Sequence, residues 1–569
     1  LEVNGVVAIP DGDDGNPGIT VWVSNQHPAA VRDALAQILD LPPERVRVAC
    51  PAVGGGFGAK IGLSSEHVVL AALALRLGRA VRYVETRSES MMLMTHGRGQ
   101  FHDLQIGARS DGTIVGLKVE VIADCGAYPM MAAILPMFTH RMACGVYRIP
   151  KVDFKATGVT TNTTPVAAYR GAGRPEATAF VERAMDLVAV ELGIDPVEVR
   201  RRNLIPPDAF PHATATGAVY DSGDYGTALD TALRLAGYDA LRDEQAARRA
   251  AGDPVALGIG VSAYVEVTGA VPTPEYASVQ VGADGTVTVL AGTVPNGQGH
   301  ETAFAQIVSA TLGVPMESVK VLHSDTAAVP ESGGTFGSRS LQFGGSSVLR
   351  SAEVVLERAK ERAAELLEAS AGDIVLTEDG RVGVAGSPAQ ALSWAELAQS
   401  NGEALAATEK WGQYDNTYPF GAHVAVVDVD TETGAVSLRR VVAVDDCGRI
   451  LNPVLVTGQV HGGLAQGIAQ ALFEEVAYDE DGMPLTSTLA DYLIPSAAEL
   501  PSFETAHTET PSPHNPLGAK GIGESGTIGS TPAVQSAVVD ALAHLGVRHI
   551  DMPATPERVW RAIQDAPGR

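Results

Sequence analysis

The sequence predicts an α+β protein made of two related, elongated mixed α/β domains. Three observations predict this class: hairpin patterns, helical patterns between them, and an internal repeat. Hairpins, in which a D-G or T-G turn separates alternating β-formers, are predicted at residues 104–122, 277–292 and 424–444. Amphipathic or apolar helices are predicted at residues 64–78, 174–193, 346–367 and 531–546.

The internal repeat organises the 569-residue chain better than any shift in composition. Residues 25–48, followed by GGGFGAK (54–60), recur as residues 297–321, followed by GGTFGSR (333–339). The matched positions are Gln26 with Gln298, Pro42 with Pro315, Glu44 with Glu317, Val46 with Val319, and Phe57-Gly58 with Phe336-Gly337. Agreement at so many positions indicates a duplicated structural unit.

The repeat predicts two related domains, residues 1–255 and 256–569. Each domain presents a Gln at the start of a helix and a Gly-rich loop after a strand. We expect the two loops to face one another and to enclose a shared site at the domain interface.

The composition excludes several classes of protein. A net charge of −26 would repel phosphate backbones, so a nucleic-acid partner is not expected. No apolar run approaches the roughly 20 residues of a membrane-spanning helix. The four cysteines are far apart and form no C-x-x-C motif, so neither a disulfide framework nor a cysteine-ligated metal cluster is predicted. This cysteine usage favours a reducing compartment, and we expect the cytoplasm.

The two Gly-rich loops are candidate anion-binding turns. Closely spaced glycines allow several backbone N–H groups to point at one oxyanion. GGGFGAK is not a nucleotide-hydrolysing P-loop, because Ala59 and Ile61 replace the second Gly and the Ser or Thr of that motif. A tight turn without a ligand would explain one such loop, whereas the recurrence favours binding.

Two further motifs carry polar side chains at Gly-rich turns. AAYRGAGRPEA (167–177) brings Arg170 and Arg174 to the start of a long helix, where they could clamp an anion or pair with a structural carboxylate. GQVHGGLAQGIAQAL (458–472) carries Gln459, and taken alone it indicates only a closely packed helix.

GAKGIGESGT (518–527) contains the spacing G-x-G-x-x-G and a single carboxylate, Glu524. A dinucleotide-binding turn should follow a strand, but residues 509–520 are too rich in Pro and Gly for one. The charge of Glu524 would also oppose a pyrophosphate. A carboxylate in a desolvated Gly-rich loop suits general-base chemistry, and an exposed loop Glu is the alternative.

Together these motifs resemble the molybdenum-binding part of the large subunit of the molybdenum hydroxylases, the family of xanthine dehydrogenase, aldehyde oxidoreductase and aerobic carbon monoxide dehydrogenase. Eight motifs occur in the order of that family: LEVNG, VSNQHP, GGGFGAK, AAYRGAGRPEA, PNGQGHET, GGTFGSRS, GQVHGGLAQG and GAKGIGESG. The resemblance covers nearly the whole chain.

The resemblance implies a molybdopterin cofactor, in bacteria commonly the cytosine dinucleotide form, whose molybdenum is held by the pterin dithiolene and takes no protein ligand. The residues it implies for the cofactor are Gln26, Phe57, Gly58, Arg170, Gly297, Gln298, Ser338, Ser340 and Gln459. It also implies that Glu524 stands beside the metal as the catalytic base. Glu524 would take a proton from the hydroxo ligand that attacks an electron-poor carbon.

Three positions bear on the substrate. Ile61 stands where xanthine enzymes carry a Glu, and Phe138 lies near the place of their substrate-binding Arg, so a purine dione would lose both polar anchors. Gly171 stands where copper-containing carbon monoxide dehydrogenases carry a Cys. The resemblance therefore favours hydroxylation of an aromatic N-heterocycle or oxidation of an aldehyde. Carbon monoxide oxidation and a non-catalytic, cofactor-carrying or structural subunit are the alternatives.

The resemblance also implies partners. Electrons leaving molybdenum need a path, and the sequence shows no iron–sulfur or flavin motif, so a [2Fe-2S] subunit and an FAD subunit are expected. The family's small domain precedes the point at which this sequence starts, so we expect another chain or segment to supply it. A dimer of such heteromers is the expected assembly.

Overall fold

Strands and helices alternate along the chain in the computed structural model, which describes residues 2–13, 16–129, 131–271, 273–400, 405–412 and 415–566. The strands are β1 (Gly5–Asp13), β2 (Asn16–Val23), β3 (Val46–Ala49), β4 (Val81–Val84), β5 (Gln100–Ala108), β6 (Ile114–Asp124), β7 (Val152–Val159), β8 (His212–Ala213), β9 (Val219–Tyr220), β10 (Val255–Val265), β11 (Glu275–Val281), β12 (Val287–Ala291), β13 (Val319–Leu322), β14 (Ile374–Leu376), β15 (Val382–Val384), β16 (Ala391–Leu392), β17 (Leu405–Trp411), β18 (Phe420–Asp430), β19 (Val436–Asp446) and β20 (Glu504–Thr508).

The helices are α1 (Pro28–Leu39), α2 (Ser65–Leu77), α3 (Arg87–Leu93), α4 (Leu135–Arg141), α5 (Arg174–Leu192), α6 (Pro196–Asn203), α7 (Tyr225–Ala236), α8 (Tyr238–Ala251), α9 (His300–Leu312), α10 (Ser346–Leu366), α11 (Trp394–Ser400), α12 (Pro453–Leu472), α13 (Ser525–Leu542) and α14 (Pro556–Gln564). The mixed α/β class is therefore confirmed.

All three predicted hairpins are present, as β5–β6, β11–β12 and β18–β19. Three of the four predicted helices match α2, α5 and α10 to within a residue at each end. The fourth differs, because α13 begins at Ser525, six residues before the predicted start at residue 531. The sequence pattern does not predict these first turns as helical, because they contain two glycines and are followed by Pro532.

Residue contacts divide the chain into two compact units that are each assembled from separated segments. The first unit comprises Leu1–Glu85, Val271–Asp415 and Asn515–Leu517, and the second comprises Thr86–Ala270, Asn416–His514 and Gly518–Arg569. The predicted boundary between residues 255 and 256 is a statement about the sequence repeat, and it stays a prediction.

The first unit contains two four-stranded sheets of the same topology. Their strand orders are β3-β2-β1-β4 and β13-β12-β11-β17. In each sheet an antiparallel pair is extended by a parallel strand, with Ile19 opposite Val46 in one and Val287 opposite Val319 in the other. Helices α1 and α9 make the corresponding connections. The repeat in the sequence is thus a repeat of one structural motif.

The two Gly-rich loops are anchored in the same way. Glu2 accepts hydrogen bonds from the N–H of Gly54 at 2.7 Å and from Lys60 Nζ at 2.6 Å. In the second copy, Glu275 accepts from the N–H of Gly333 at 3.0 Å and from Arg339 Nη1 at 2.8 Å. The cation that ends each loop is therefore paired with a carboxylate that lies shortly before β1 in the first copy and at the start of β11 in the second.

In the second unit the sheet β10-β18-β19-β20 separates two hydrophobic cores. Alternate residues of β18 belong to different cores: Val427 packs with residues of α12 and α13, whereas Val426 packs with residues of α5 and α7. Because both faces are buried, the strand is an almost continuous apolar run.

Helix α13 lies very close to β10. A Cβ on Gly260 would stand 1.9 Å from the carbonyl oxygen of Ala533, so only glycine permits this approach. The helix is buried along nearly its whole length, which explains its small and apolar composition. Packing of α13 fixes the position of Glu524, the residue directly before it.

The fold lacks disulfide bonds among the four cysteines. Each of the four cysteines is buried and unpaired with another cysteine. Within the described ranges no helix has both the length and the apolar character needed to cross a membrane.

Candidate active site

Gln26 ties the first Gly-rich loop to the second. Its side-chain oxygen accepts from the N–H of Gly58 at 3.0 Å, and its amide nitrogen donates to the carbonyl of Thr335 at 2.8 Å. Gly56 must be glycine, since a Cβ there would lie 2.4 Å from the side-chain oxygen of Gln26. Gln26 is 4% exposed, so it shapes the loops from inside.

Thr335 joins the three loops of this unit that carry predicted site residues. Its N–H donates to the carbonyl of Gln26 at 3.0 Å. Its hydroxyl oxygen accepts from the N–H of Val294 at 2.8 Å and from the hydroxyl of Ser340 at 3.4 Å. Sequence reasoning missed Thr335, although it lies in the middle of GGTFGSR.

The loop after β12 presents polar groups beside open space. Both polar atoms of the Asn296 side chain are buried and have no hydrogen-bond partner among the described residues. The neighbouring Gly297 has φ +108°, and a Cβ on it would meet nothing within 4 Å. The side-chain oxygen of Gln298 accepts from the N–H of Asn296. Such a group suits a polar ligand, because a buried amide without a partner is unfavourable.

The remaining predicted residues of this unit lie in the same two Gly-rich loops or directly after them. Phe57 and Ser338 both adopt left-handed backbone conformations, with φ of +51° and +52°. The ring of Phe57 is 48% exposed, which is unusual for a phenylalanine held in a tight turn. Ile61 follows the first loop and is partly buried.

In the second unit Arg170 is buried and binds the loop that precedes Glu524. Its Nε donates to the carbonyl of Gly523 at 2.5 Å, and its Nη2 donates to the carbonyl of Gln459 at 3.0 Å. Nη1 donates to the side-chain oxygen of Gln466 at 3.0 Å. Burial lowers the pKa of Arg170, but the group stays charged because an arginine pKa is so high. The structure thus brings Arg170, Gln459 and the Glu524 loop together.

Glu524 is held by two donors at the N-terminal end of α13. One carboxylate oxygen accepts from the N–H of Gly171 at 2.8 Å, and the other accepts from Arg174 Nη2, also at 2.8 Å. The side chain is only 13% exposed. Between β20 and α13 the described chain forms no strand beyond an isolated bridge at Ala519, so the G-x-G-x-x-G spacing lacks the preceding strand of a dinucleotide turn.

Glu266 is a further acid in this cluster, and sequence reasoning missed it. It is fully buried, lies 3.3 Å from Arg174 Nη2, and accepts from the hydroxyl of Ser525 at 3.1 Å. Burial first, and then the charge of Glu524, raise the pKa of Glu266 well above its usual value despite the nearby arginine. Burial thus favours the protonated form of Glu266, although its distance from Arg174 is that of an ion pair.

Arg174 stays fully charged between the two acids. Burial lowers the pKa of Arg174, but the charges of Glu524 and Glu266 outweigh burial and raise it. The cluster therefore places one buried cation between two acids, and burial raises the pKa of one of them, Glu266.

Gly171 and Phe138 contact this cluster. Gly171 has φ +101°, and a Cβ on it would lie 2.4 Å from Cγ of Pro175. The ring of Phe138 lies 5.6 Å from the guanidinium of Arg174, within cation–π distance. Two of the three positions predicted to bear on the substrate thus contact the cluster, Gly171 at Glu524 and Phe138 at Arg174.

No group of three or more His, Cys, Asp or Glu side chains is arranged to hold a metal ion among the residues that the structure describes.

Comparison with known proteins places this architecture. Residues 1–204 and 231–501 each match a family model described as a molybdopterin cofactor-binding domain. The carbon monoxide dehydrogenase large chain of Hydrogenophaga pseudoflava is 38% identical over 588 aligned positions, which cover 99% of this chain and 73% of that one. The nicotine 6-hydroxylase large subunit of Paenarthrobacter nicotinovorans is 34% identical over 572 positions, which cover 96% of this chain and 70% of the relative.

A solved structure agrees with these relatives. The quinoline 2-oxidoreductase of Pseudomonas putida 86 matches with a TM-score of 0.94 and 37% identity, covering 100% of this chain and 74% of that one. The fold and the matched domains define a molybdopterin-binding protein. The chain belongs to the molybdenum hydroxylase family of oxidoreductases, as a molybdenum-binding large subunit.

Proposed function

We propose that this chain is the catalytic subunit of an enzyme that hydroxylates an aromatic N-heterocycle or oxidises an aldehyde, with water as the oxygen source. The single observation that carries the proposal is Glu524, held between the N–H of Gly171 and Arg174 directly before α13. The names of two similar proteins, a nicotine 6-hydroxylase and a quinoline 2-oxidoreductase, favour the heterocycle.

The residues present fit a molybdopterin cofactor. In the first unit the partnerless side chain of Asn296 and the open space at Gly297 suit a polar ligand group. We add Asn296 to the predicted cofactor residues Gln26, Phe57, Gly58, Arg170, Gly297, Gln298, Ser338, Ser340 and Gln459. When bound, the molybdenum centre supplies the two-electron oxidation of a substrate carbon.

These residues have two kinds of role. The side chain of Gln26 is committed to holding Gly58 and Thr335, so it would shape the loops rather than donate to the cofactor. The three guanidinium nitrogens of Arg170 likewise donate hydrogen bonds to Gly523, Gln466 and Gln459. Its role would be to fix the loop that carries Glu524.

Glu524 is positioned to act as a general base. Arg174 and the N–H of Gly171 each stabilise its charged form, so the carboxylate is available to accept a proton. Glu266, whose pKa is raised by burial and by the charge of Glu524, forms a hydrogen bond with Glu524 and would help to hold that geometry. Partial burial of Glu524 excludes bulk water from competing for it.

The partner assignments belong to the same proposal. The relatives are named as a large chain and a large subunit, which supports a multisubunit enzyme. We propose that a [2Fe-2S] subunit and an FAD subunit receive the electrons, and that the cofactor is the cytosine dinucleotide form. Assembly as a dimer of heteromers in the cytoplasm completes the proposal.

Carbon monoxide oxidation is a second candidate, favoured by the 38% identity to a carbon monoxide dehydrogenase large chain. The backbone at Gly171 argues against it. The copper-binding cysteine expected there would need φ near +101° and would place its Cβ 2.4 Å from Pro175.

Metal content and substrate scope test the proposal. We expect the purified enzyme to contain about one molybdenum per chain and to reduce an artificial acceptor dye with N-heterocycles or aldehydes as donors. The product should carry ¹⁸O when the reaction is run in labelled water, as shown by mass spectrometry. Dye reduction by carbon monoxide alone would favour the second candidate, and absence of molybdenum would contradict both.

Replacement of Gly171 tests the space around Glu524. Gly171→Ala should lower the free energy of unfolding by about 2–4 kcal/mol, because positive φ and overpacking each cost about 1–3 kcal/mol. It should also reduce turnover, since relief of the clash with Pro175 would shift the backbone N–H of residue 171 that binds Glu524. Gly226→Ala on α7 is the control, because its Cβ would approach nothing closer than 3.8 Å. Chemical denaturation measures the free energy of unfolding of both variants. An equal loss in Gly171→Ala and Gly226→Ala would contradict the prediction.

A further inference from the structure

A cavity in the second unit is lined by three arginines that play no part in the proposed function. It measures about 640 Å³, a size typical of sites for small organic ligands. Arg109, Arg148 and Arg202 surround it together with His212. They come from the β5–β6 turn, the loop after α4, the last turn of α6 and β8, so tertiary structure brings these cations together.

The three guanidinium groups have no carboxylate partner among the described residues. Arg202 donates to the backbone carbonyl of Asp111, and Arg148 donates weakly, at 3.4 Å, to the carbonyl of Arg202. Asp111 lies near Arg109 and Arg202, but its side chain accepts from the N–H of Thr113 instead. Three exposed arginines without a carboxylate partner among the described residues thus surround one cavity of a chain whose net charge is −26.

The neighbouring Arg201, unlike Arg202, is paired with carboxylates. It follows Arg200 on the same helix, is not among the residues that line the cavity, and pairs with Glu198 at 2.6 Å and Asp230 at 2.8 Å. Arginines on this helix can thus find carboxylates, and Arg202 does not.

The cavity floor is rigid. Asn203 is buried, accepts from the N–H of Ile114 at 2.9 Å, and donates to the carbonyl of Gly112 at 2.9 Å. These bonds fix the β5–β6 turn against α6 and so hold Arg109 near Arg202. Ile149 and Pro150 add an apolar wall. Burial, and then the charge of Arg148, lower the pKa of His212, so its neutral ring can donate or accept a hydrogen bond.

We propose that this cavity binds a small organic anion whose phosphate or carboxylate group is held by Arg109, Arg148 and Arg202. The apolar wall at Ile149 and Pro150 would receive the rest of the molecule. A concave site with a rigid floor favours a small molecule over an acidic segment of another protein, which would need a larger and flatter surface.

Equilibrium binding to the intact purified enzyme tests the proposal, with adenosine monophosphate, inorganic phosphate and citrate as probes. We expect saturable binding of at least one organic probe, tighter than that of inorganic phosphate because of the apolar wall. The monophosphate and citrate arms separate phosphate from carboxylate recognition. Arg202→Gln should weaken binding by at least about tenfold, the effect of losing a charge-assisted hydrogen bond.

Two further variants make the result decisive. Arg201→Gln removes the same charge from the same helix outside the cavity and should leave affinity within about twofold. Ala215→Glu places a carboxylate among the lining residues without disturbing the floor, and it should abolish binding even if Arg202→Gln folds poorly. Failure of every probe to saturate, or equal weakening by Arg201→Gln and Arg202→Gln, would overturn the proposal. Loss of subunit association in Arg202→Gln without any probe binding would also overturn it, by making the cavity a protein contact.

Discussion

Glu524→Gln should lower kcat by about 10²- to 10⁴-fold while the enzyme keeps its molybdenum. The substitution preserves the size of the side chain and its contact with the N–H of Gly171, but it removes the proton-accepting carboxylate. Steady-state turnover with the best substrate from the screen measures the effect, and metal analysis of the same preparation measures molybdenum. We expect KM to change little, because Glu524 acts on the proton rather than on substrate affinity.

Glu480→Gln is the matched control for this substitution. Glu480 is exposed on the same unit, so the same change of charge should leave kcat unaffected. Wild-type turnover in Glu524→Gln would show that another group is the base. Loss of molybdenum in that variant would instead make Glu524 a structural element of the cofactor site.

Features with a local or repeated signature could be predicted from the sequence. The D-G and T-G turns fixed three hairpins, and the repeat located two sheets of identical topology. The start of α13 could not be predicted, because the propensities of Gly526, Gly529 and Pro532 oppose a helix. Tertiary packing explains why glycine occupies this part of the helix, since a Cβ on Gly526 would lie 2.6 Å from the carbonyl oxygen of Val460 on α12. Such close contacts are visible only in three dimensions.

In the candidate site, too, some residues could be predicted from the sequence and others could not. Glu524 could be singled out because it is the one acid in a Gly-rich loop, and the resemblance then gave it a role. Glu266 carried no signal, since it is an ordinary acid at the end of an apolar strand. Its importance comes from burial beside Arg174 and Glu524. Arg174 lies 92 residues from Glu266 in the sequence, and Ser525, the residue after Glu524, lies 259 residues from it. Asn296 also carries no signal in the sequence, because an asparagine between Pro295 and Gly297 is typical of an ordinary turn.

Arg174→Met should produce the second large effect, on both stability and catalysis. Arg174 is 3% exposed and is the cation that binds Glu524 and Glu266. Its removal leaves an uncompensated buried carboxylate, which costs about 3–5 kcal/mol in the free energy of unfolding. Because loss of a nearby positive charge favours the protonated acid, the acidic limb of the pH–rate profile should move up by about one to three pH units. Denaturation and a pH series of kcat/KM measure the two effects.

Arg183→Met separates the catalytic part of this prediction from the structural part. Arg183 lies on the same helix α5, is also buried, and pairs with Asp186 at 2.8 Å, but it does not contact Glu524. Its loss should destabilise the fold while leaving the pH–rate profile in place. Arg174→Lys should restore part of the profile, since it keeps the charge but loses the forked geometry that reaches two acids. If Arg174→Met and Arg183→Met shift the pH–rate profile equally, Arg174 stabilises only the fold, and groups other than Arg174 set the pKa of the catalytic base.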